Sequence, residues 1–428
     1  MALNTLLPSA IRNIMQSGLL FAAFEDALLP EFLFPMVATP RPWMAGLGDT
    51  VTFTRPGLMT PQILPITGSD PSPDSYGVEQ YSMTMDQYGN SVDTNMLASS
   101  ATLASKFLLD QQRLGINAGQ SLNRLVRSKL FNAYLGGRAF VTTAQATAGT
   151  SQPVDSVLGF EHVMVNGRLV PVSPTNPLSI TINGVANTVV GAARGTETNL
   201  TREEVRVPGT LTLGTAVVTA VGQAVISAQA PVSLRPAGRA TANDLAAADV
   251  ATFALFADAV ARLRRQNVPS FGGYYVAHID PITERQLFTD SSFISSLQSG
   301  VPSPIFGSLS LGRFAGIDWV RNNETPSRAL NGREVHRAII MGADCLLAGP
   351  YLDMGNLLAE IGNTPIGSIE MMPAGVGMEV AHIVRGPQDR LQQVISSSWS
   401  WIGDFAAPTD STTGDSAIYK RAVVIEHS

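Results

Sequence analysis

The residues from Asp93 to Gly137 form the longest stretch of the sequence with one helical periodicity. Apolar side chains recur at helical spacing along one face, at Leu103, Phe107, Leu114, Ala118, Leu122, Leu125, Val126, Leu130 and Ala133. Asp93, Thr94 or Asn95 is predicted to cap the start, and Gly136-Gly137 to end the helix. Some 40 residues make a rod of roughly 60 Å, which few compact domains need. A long core helix of an ordinary domain remains an interpretation at this point.

The opposite face of the predicted helix is polar. Its members are predicted to meet solvent or a charged partner: Lys106, Asp110, Gln112, Arg113, Asn117, Asn123, Arg124 and Arg127. Gly115 and Gly119 lie inside the helix, where each costs about 1 kcal/mol relative to alanine. They therefore predict a bend or a close packing contact.

Composition indicates a surface that is largely covered by partners. The 428 residues suffice for two or three domains, but charged residues make up only 14%, against about 25% in an ordinary protein. The net charge of −6 argues against a general nucleic-acid binder, which needs excess positive charge. Arginine supplies nearly all of the positive charge, and arginine suits bidentate pairing at interfaces.

Cysteine and histidine give no sign of an active site. Cys345 is the only cysteine, so there is no internal disulfide, and its apolar surroundings predict a buried, inert thiol. The five histidines are scattered singly, without the spacing of a metal site. His278 lies two residues before Asp280 at a predicted strand end, which predicts a structural hydrogen bond. Nucleophile elbows, phosphate-binding loops and complete dinucleotide motifs are missing from the sequence. We predict no catalytic residue, no metal and no cofactor.

The first 45 or so residues predict an amphipathic arm. They are densely apolar, but Glu25 and Asp26 interrupt them too early for a membrane span. No charged segment precedes the apolar part, as a secretory signal would require. The arm is predicted to pack either on its own core or on a neighbouring subunit, in a chain suited to a reducing cytoplasm.

Two strands are predicted on either side of a long connection. Gly48 to Pro56 alternates apolar and polar residues, and so does the segment of Tyr81, Met83 and Met85. The connection of about 24 residues is rich in proline and glycine, whereas hairpin loops usually have about 2 to 5 residues. It predicts a projecting arm that contacts another chain, with a plain surface excursion as the alternative.

The segment from Gly149 to Pro236 changes to short β-rich runs. Asn166-Gly167 and Asn183-Gly184 each separate two such runs, which predicts two tight hairpins. We therefore predict a β-barrel or β-sandwich here.

The rest of the chain alternates predicted strands and helices. These segments are a helix capped at Thr241 to Asp244 with an apolar face from Leu245 to Leu263, a buried strand at Tyr274 to Ile279, a helix opened by Pro281, a strand at Ile317 to Val320, an exposed loop at Arg321 to Glu334, a core segment at Ala338 to Ala348, strands within Glu379 to Ile402, and a last strand at Ala422 to Ile425.

Four motifs in this order carry a resemblance to a known family. They are Gly48-Asp49-Thr50-Val51 with Arg55-Pro56, Gln87 to Val92, Tyr274 to Pro281, and Gly312 to Val320. With them the chain resembles, over most of residues 45 to 405, a tailed-bacteriophage major capsid protein of the Hong Kong 97 (HK97-like) type. The first two motifs look like the family's extended loop and the approach to its spine helix. The other two resemble strands of its axial domain.

The resemblance implies an α+β fold with an inserted β-rich domain. The implied segments are an N-terminal arm at 1–47, an extended loop at 48–93, a peripheral domain with the spine helix at 94–148, the inserted β-barrel or β-sandwich at 149–237, an axial domain at 238–360, and return strands of the peripheral domain with the C-terminal segment at 361–428.

The resemblance also implies a function and partners. The chain is expected to be a structural coat protein, not an enzyme, that assembles through pentamers and hexamers into an icosahedral shell around phage double-stranded DNA. The implied partners are copies of itself, scaffolding and portal proteins, non-specifically packaged DNA and a candidate decoration protein, with no membrane. The implied location is the virion capsid, made in the bacterial host cytoplasm. The alternatives are an encapsulin-type shell around a cargo enzyme and a cytoplasmic enzyme with an unrecognised carboxylate site.

Two finer expectations follow. No lysine lies between Gly46 and Asp93, so the lysine–asparagine cross-links of some shells in this family are not expected. The candidates for contact between subunits are Arg55, Tyr81, Met83, Met85, Arg113, Arg124, Arg127, Arg321 and Arg333.

Overall fold

The chain divides into two units, each assembled from segments that are far apart in sequence. The first unit takes Met1–Val51, Ser82–Arg127 and Leu346–Ala406, and the second takes Thr52–Tyr81, Ser128–Cys345 and Ala407–Ser428. The computed structural model describes residues 19–28, 33–43, 49–56, 63, 68, 70, 73, 78–95, 103–166, 168–196, 206–300, 312–351, 366–375, 377–387, 390–391, 393–407 and 421–428.

The elements are numbered in chain order. The helices are α1 (Leu19–Leu28), α2 (Leu103–Leu135), α3 (Phe253–Arg265), α4 (Pro281–Leu287) and α5 (Ser291–Gly300). The strands are β1 (Thr39–Pro40), β2 (Thr50–Pro56), β3 (Val78–Thr84), β4 (Asp86–Asn95), β5 (Arg138–Phe140), β6 (Gln145–Val154), β7 (His162–Val165), β8 (Arg168–Pro171), β9 (Leu178–Ile182), β10 (Val185–Arg194), β11 (Gly209–Thr219), β12 (Ala224–Ser227), β13 (Ser233–Leu234), β14 (Tyr275–Ile279), β15 (Arg313–Phe314), β16 (Ile317–Arg321), β17 (Ser327–Leu330), β18 (Arg333–Met341), β19 (Leu347–Pro350), β20 (Ile366–Pro373), β21 (Glu379–Arg385), β22 (Val394–Ala406) and β23 (Ala422–His427).

A six-stranded sheet organises the first unit. Its order is β1-β19-β22-β21-β20, and β4 pairs with β22. The β22 strand is antiparallel to both β4 and β21, while β1 runs parallel to β19. The alternation of buried side chains along β22, including Ile395 and Trp399, supplies the apolar face that a sheet must cover. The predicted strands within Glu379 to Ile402 are confirmed.

The long helix is confirmed, but it begins later than predicted. It has 33 residues and is about 50 Å long. The apolar stripe is buried at Phe107, Leu114, Ala118, Leu122, Val126 and Leu130. Gly137, with φ of +77°, supplies the predicted left-handed residue at the end. The predicted cap at Asp93 to Asn95 is wrong because these residues pair with Val394 to Ser396 as the last rungs of β4 against β22.

Part of the polar face of α2 is a buried contact surface, which corrects the predicted exposure. Asn123 is 1% exposed, and its Oδ1 accepts a hydrogen bond from the backbone N–H of Phe34 at 2.9 Å. The Oδ1 of Asn117 accepts from Trp399 Nε1 of β22 at 3.1 Å. An amide side chain is compatible with burial when a partner satisfies it. These residues therefore bind α2 to its own unit.

Gly115 makes the predicted close packing contact. A Cβ added there would lie 2.5 Å from the carbonyl oxygen of Phe24 and 3.1 Å from the Cβ of Ala27, both in α1. No L-residue with a side chain fits at such a distance from backbone without a shift of one helix. Glycine is thus what allows α1 and α2 to approach.

The strands β2 and β3 form a two-stranded sheet of their own, as predicted from their alternation. The rings of Phe53 and Tyr81 stack across it, with centroids 5.4 Å apart. Cross-strand aromatic pairs of this kind stabilise isolated hairpins. The long connection predicted between the two strands lies mostly outside the described residues.

A β-barrel forms one part of the second unit. Its strand order is β5-β12-β9-β10-β11-β6, and the bridge between Val141 and Val154 joins the two ends of that order. Its core is apolar, with Leu178, Ile180 and Ile182 among the buried residues. The barrel begins at β5 and β6, ahead of Gly149.

Both predicted Asn-Gly hairpins are present. Asn183 and Gly184 have φ of +49° and +82°, which is the type I′ geometry between β9 and β10. Asn166, with φ of +51°, lies between β7 and β8, which pair as a separate hairpin.

A seven-stranded sheet forms the other part of the second unit. Its order is β13-β23-β18-β14-β16-β15, and β17 pairs with β18. The buried strand β14, the helix α4 opened by Pro281 and the strands β16 and β23 confirm the predictions for these segments. The core segment Ala338 to Ala348 is also mostly buried. Helices α3 and α5 cover an aromatic core that includes Phe256, Phe293 and Trp319.

Two predictions in this unit are wrong. Thr241 and Asp244 do form a capping box, but on a single 3₁₀ turn, and α3 begins at Phe253 instead of Leu245. The carboxylate of Asp249 accepts a hydrogen bond from the N–H of Ala246 at 2.6 Å, and such a local turn competes with helix formation. The exposed loop predicted at 321–334 instead contains the β17–β18 hairpin.

That hairpin turns at Asn331 and Gly332, whose φ values are +49° and +75°. It has the same geometry as the hairpin at Asn183. None of the helices among the described residues has the length and apolar character needed to cross a membrane.

Candidate functional site

Nine residues are predicted to contact other subunits, and two of them are buried inside the chain. Met83 and Arg127 are 0% and 1% exposed, which corrects their expected place on the surface. Met83 packs its sulfur against Gly349 of β19, and Arg127 follows the buried stripe of α2 at the position after Val126. The side chain of Arg55 lies outside the described part of the structure.

The other six candidates are exposed or half-buried. They are Tyr81, Met85, Arg113, Arg124, Arg321 and Arg333. Arg321 forms an ion pair with Glu284, with Nη2 and Oε1 2.5 Å apart, and Arg333 Nη1 donates to the carbonyl oxygen of Leu245 at 3.0 Å. These contacts hold the two arginines at the surface of the seven-stranded sheet.

The strongest concentration of buried charge lies on the strand pair β18–β23. Arg337 is directly opposite Glu426, and His336 is directly opposite His427. Successive side chains of a strand point to opposite faces. The arginine–glutamate pair therefore lies on one face of the sheet and the histidine pair on the other.

On the first face, Glu426 is held by two arginines. Its Oε2 accepts from Arg235 Nε at 2.8 Å, and its Oε1 accepts from Arg337 Nε at 3.1 Å. Arg328 and Asp155 form a second ion pair, and Arg138 donates to the carbonyl oxygen of Pro231. These six charged residues, Asp155, Arg138, Arg235, Arg328, Arg337 and Glu426, are called the arginine cluster below.

The arginine cluster surrounds a cavity of about 40 Å³. Besides four arginines and Glu426, the barrel residues Ala139 and Ala224 line it. Burial raises the pKa of Glu426, but the charges of Arg235, Arg337 and Arg138 outweigh burial and lower it to about 2. Burial lowers the pKa of Arg138 to about 10, against the opposing effect of Glu426. Glu426 is thus ionised at any pH above about 2.

On the second face, Asp280 joins the two histidines. His336 Nδ1 lies 2.6 Å from Asp280 Oδ2, and the rings of His336 and His427 stack with centroids 5.6 Å apart. Thr283 Oγ1 contacts both Asp280 Oδ1 and His427 Nε2. A carboxylate only accepts, so Thr283 donates to Asp280 and His427 Nε2 donates to Thr283. These four residues are called the histidine cluster.

The pKa values of the histidine cluster follow from its burial. Burial raises the pKa of Asp280, but its hydrogen bonds from His336 and Thr283 lower it overall to about 2. Burial lowers the pKa of His427 to about 4. On the neighbouring strand, burial lowers the pKa of His278 to about 3, and its Nδ1 lies 2.9 Å from Asn322 Nδ2. The structural hydrogen bond predicted for His278 is therefore present, with Asn322 as partner.

Both clusters are largely closed to solvent. Asp280, Thr283, His336 and His427 are all buried, although His336 also lines an open groove of about 770 Å³ with Arg285, Arg333 and Glu334. The cavity of the arginine cluster has only about 40 Å³. Cys345 is buried, and burial raises the pKa of its thiol to about 12, as expected for an inert thiol. Within the described ranges, no three histidine, cysteine or acidic side chains are grouped as metal ligands.

No sequence motif indicates either cluster directly. The one available signal is a charged residue inside an otherwise apolar strand, which occurs at Arg337 in REVHRAIIM and at Glu426 in AVVIEH. A charged residue in a buried strand needs a partner. The identity of the partner depends on contacts between residues as far apart as Arg235 and Glu426.

Solved structures resemble the chain, although its sequence does not match a known family. No protein-family model matches, and comparison with curated proteins also finds no match. The capsid of Ralstonia phage GP4 is 13% identical, with 92% of this chain and 87% of that chain covered and a TM-score of 0.50. The capsid of Cyanophage P-SCSP1u is 11% identical, with 93% of this chain and 88% of that chain covered and a TM-score of 0.46. The capsid of Cyanophage Pam1 is also 11% identical, with 94% of this chain and 92% of that chain covered and a TM-score of 0.45.

The likeness to the GP4 capsid identifies the fold. It extends over 92% of this chain and 87% of that chain. The chain has the α+β capsid fold of the Hong Kong 97 type.

Proposed function

We propose that this chain is the major capsid protein of a tailed bacteriophage, assembling through pentamers and hexamers into an icosahedral shell around double-stranded DNA. The observation that carries the proposal is the capsid fold over 92% of the chain. The low content of charged residues supports it, because a shell protein buries much of its surface against copies of itself. The location in this proposal is the virion capsid, after assembly in the host cytoplasm, and the chain has no catalytic role in it.

The division of the chain follows the family's pattern in this proposal. The arm is at 1–47, the extended loop at 48–93, the peripheral domain at 94–148 and 361–428, and the axial domain at 238–360. The barrel is the inserted domain, and its strands from Arg138 to Ser227 support an earlier start than 149. An encapsulin-type shell is disfavoured because the inserted barrel and the long extended loop exceed what that simpler shell uses.

Six surface residues, together with Arg55, remain proposed subunit contacts. Arg113 allows the clearest test, because it is exposed on α2 and its exposed neighbour Gln112 provides a matched control. Reversal of the charge in Arg113→Glu should reduce shell yield, while Gln112→Glu should leave it unchanged. Both variants should unfold at the same urea concentration as the parent. Equal shell yields from the two variants would remove Arg113 from the contact surface.

The function itself is tested by producing the full chain and separating the products on a sucrose gradient. We expect fast-sedimenting particles that are non-covalent and run as single chains on a denaturing gel, since no lysine lies between Gly46 and Asp93. In phage-infected cells, the particles should also protect DNA from nuclease. A slow-sedimenting monomer would contradict the shell, a cargo enzyme in place of DNA would favour the encapsulin alternative, and a high-mass ladder would contradict only the non-covalent part.

A further inference from the structure

Two Asn-Gly turns are chemically alike but are held differently. Asn331-Gly332 and Asn183-Gly184 are exposed, and all four residues have a positive φ. A Cβ added at either glycine would meet no atom within 4 Å beyond its chain neighbours. Gly167, which completes the third Asn-Gly pair, lies outside the described residues. Because the space around both turns is equally open, a difference in reactivity has to come from how firmly each turn is held.

The turn at Asn183 is held by strands on both sides. Ile182 pairs with Val185 on β10 and with Val225 on β12. The backbone N–H of Asn183 itself donates to the carbonyl oxygen of Ala224 at 2.9 Å. Opening of this turn therefore also breaks a contact with a third strand of the barrel.

The turn at Asn331 is held by the backbone of its own hairpin. Leu330 pairs with Arg333, and among the strands that the structure describes β17 pairs only with β18. The strands β14 and β23 pair with β18 only from His336 onward. Arg333 Nη1 also donates to the carbonyl oxygen of Leu245, but this contact is made by a long side chain and does not fix the backbone of the turn. A local fluctuation is therefore sufficient to open it.

An opened Asn-Gly turn permits an intramolecular reaction. The backbone nitrogen of Gly332 attacks Cγ of Asn331, the Cγ–Nδ2 bond breaks, and ammonia leaves with the proton of the glycine N–H. One water molecule then opens the succinimide ring at either of its two carbonyl carbons, which gives aspartate or isoaspartate and restores the N–H. Glycine favours the attack because it has no side chain to hinder its nitrogen.

We propose that Asn331 is a site of spontaneous deamidation in the folded protein, whereas Asn183 is protected. The reaction replaces a neutral amide with a negative charge at an exposed turn. In isoaspartate the main chain also gains one carbon atom, which a two-residue type I′ turn does not accommodate, so the pairing of Leu330 with Arg333 is lost. The modification needs no second subunit and does not depend on the proposed function.

Incubation of the full-length protein at neutral pH, followed by peptide mass mapping, tests the site. A second sample is kept unfolded in guanidinium chloride, where neither turn exists. The ratio of the unfolded to the folded rate measures the protection of each asparagine and removes the effect of its sequence neighbours. Protection should be at least about fivefold weaker at Asn331 than at Asn183, because one additional backbone hydrogen bond is worth about that factor.

Three results would overturn the proposal. They are equal protection of the two asparagines, stronger protection of Asn331, and no product at position 331 of the folded protein after the unfolded chain has been fully converted. Asn183 is the matched control within the same sample, so differences in buffer or temperature do not enter the comparison.

Hydrogen exchange tests the effect of isoaspartate on the hairpin. Aspartate keeps the backbone and favours the same turn, so Asn331→Asp should keep the parent's exchange rate at the amide of Arg333. The isoaspartate fraction of incubated protein should exchange there about fivefold faster or more, because a closing hydrogen bond is lost. Equal rates in that fraction and in Asn331→Asp would overturn the loss of the Leu330–Arg333 pairing.

Discussion

The two faces of the strand pair β18–β23 carry two kinds of buried charge. On one face Glu426 meets Arg235 and Arg337, and guanidinium groups stay ionised at any ordinary pH. On the other face Asp280 meets His336, and histidine changes its charge between about pH 5 and 8 in an ordinary environment. Residues 426 and 427 are neighbours in sequence, yet one belongs to a permanently charged cluster and the other to a titratable one.

Burial alone does not set the acid response of a site. Both clusters exclude solvent and both contain a carboxylate whose pKa is about 2. The arginine cluster keeps its charges from about pH 2 upward, so it should behave as a fixed structural element. The histidine cluster is most stable when His427 is neutral, so it should weaken as the medium becomes acidic.

The largest effect is expected from Glu426→Gln. The variant leaves the guanidinium groups of Arg235 and Arg337 buried without their shared counter-charge, and breaking a buried pair in this way costs about 3–5 kcal/mol. Urea unfolding of unassembled protein at pH 7 measures the loss. The control is Glu161→Gln in the exposed ion pair with Arg194, which should cost at most about 1 kcal/mol. Equal losses would show that the arginine cluster is not a buried charge network.

Acidification should lower the unfolding free energy through the buried histidines and leave the arginine cluster unchanged. Burial lowers the pKa values of His278, His382 and His427 to about 3, about 4 and about 4, whereas the unfolded chain takes up these protons near pH 6.5. The unfolding free energy should therefore be unaffected above about pH 6.5 and fall by up to about 1.4 kcal/mol per pH unit for each histidine as the pH drops toward 4. Glu426, with a lowered pKa, loses its contribution only as the pH falls from about 4.5 toward 2.

The variant His427→Gln checks the assignment of this slope. The glutamine amide retains a donor for Thr283 but takes up no proton, so urea unfolding between pH 7 and 4.5 should show a shallower loss of stability. His162→Gln, at an exposed position, should keep the parent's slope. A parent slope retained in His427→Gln would place the acid response elsewhere in the chain.

Asp280→Asn should have a smaller effect at pH 7. Asparagine still caps α4, because it accepts from the N–H of Thr283 as Asp280 does at 3.0 Å. It loses the charge-assisted contact with His336, which is worth about 1–3 kcal/mol. Chemical denaturation measures the change, with Asp318→Asn in the exposed pair with Arg313 as the control. A loss as large as that of Glu426→Gln would erase the distinction between the two faces.

The smallest effect is expected at the uncharged packing contact between α1 and α2. Its loss of stability is the reference against which the losses at the two charged clusters are compared. In Gly115→Ala the new Cβ meets the Phe24 carbonyl oxygen at 2.5 Å. Overpacking costs about 1–3 kcal/mol, and the better helix propensity of alanine returns about 1 kcal/mol. A net loss of up to about 2 kcal/mol in urea unfolding is expected, while the exposed Gln112→Ala should be neutral. A gain of stability in Gly115→Ala would show that α1 moves aside freely.

The sequence predicted local structure well where one segment contains its own signal. The apolar stripe of α2 and the Asn183-Gly184 hairpin are of this kind, because helix period and turn chemistry act over a few residues. The Asn331-Gly332 hairpin carries the same signal, but the polar residues around it favoured a loop. Its burial depends on the rest of the sheet, which the segment does not contain.

The clusters could not be predicted because their partners are distant in sequence. Glu426 is 191 residues from Arg235 and 89 from Arg337, and only the sheet order brings them together. The prediction of where α2 begins was wrong for the same reason, since Asp93 pairs with Ser396 of β22. Helix caps and strand ends look alike in sequence until the partner strand is known.

Electron cryomicroscopy of the particles formed by the full chain would show whether the chain builds a phage shell. We expect closed icosahedral shells whose pentamers and hexamers are composed of this fold, with α2 resolved as a continuous helix in every subunit. A homogeneous monomer, or an assembly with no icosahedral symmetry, would contradict it.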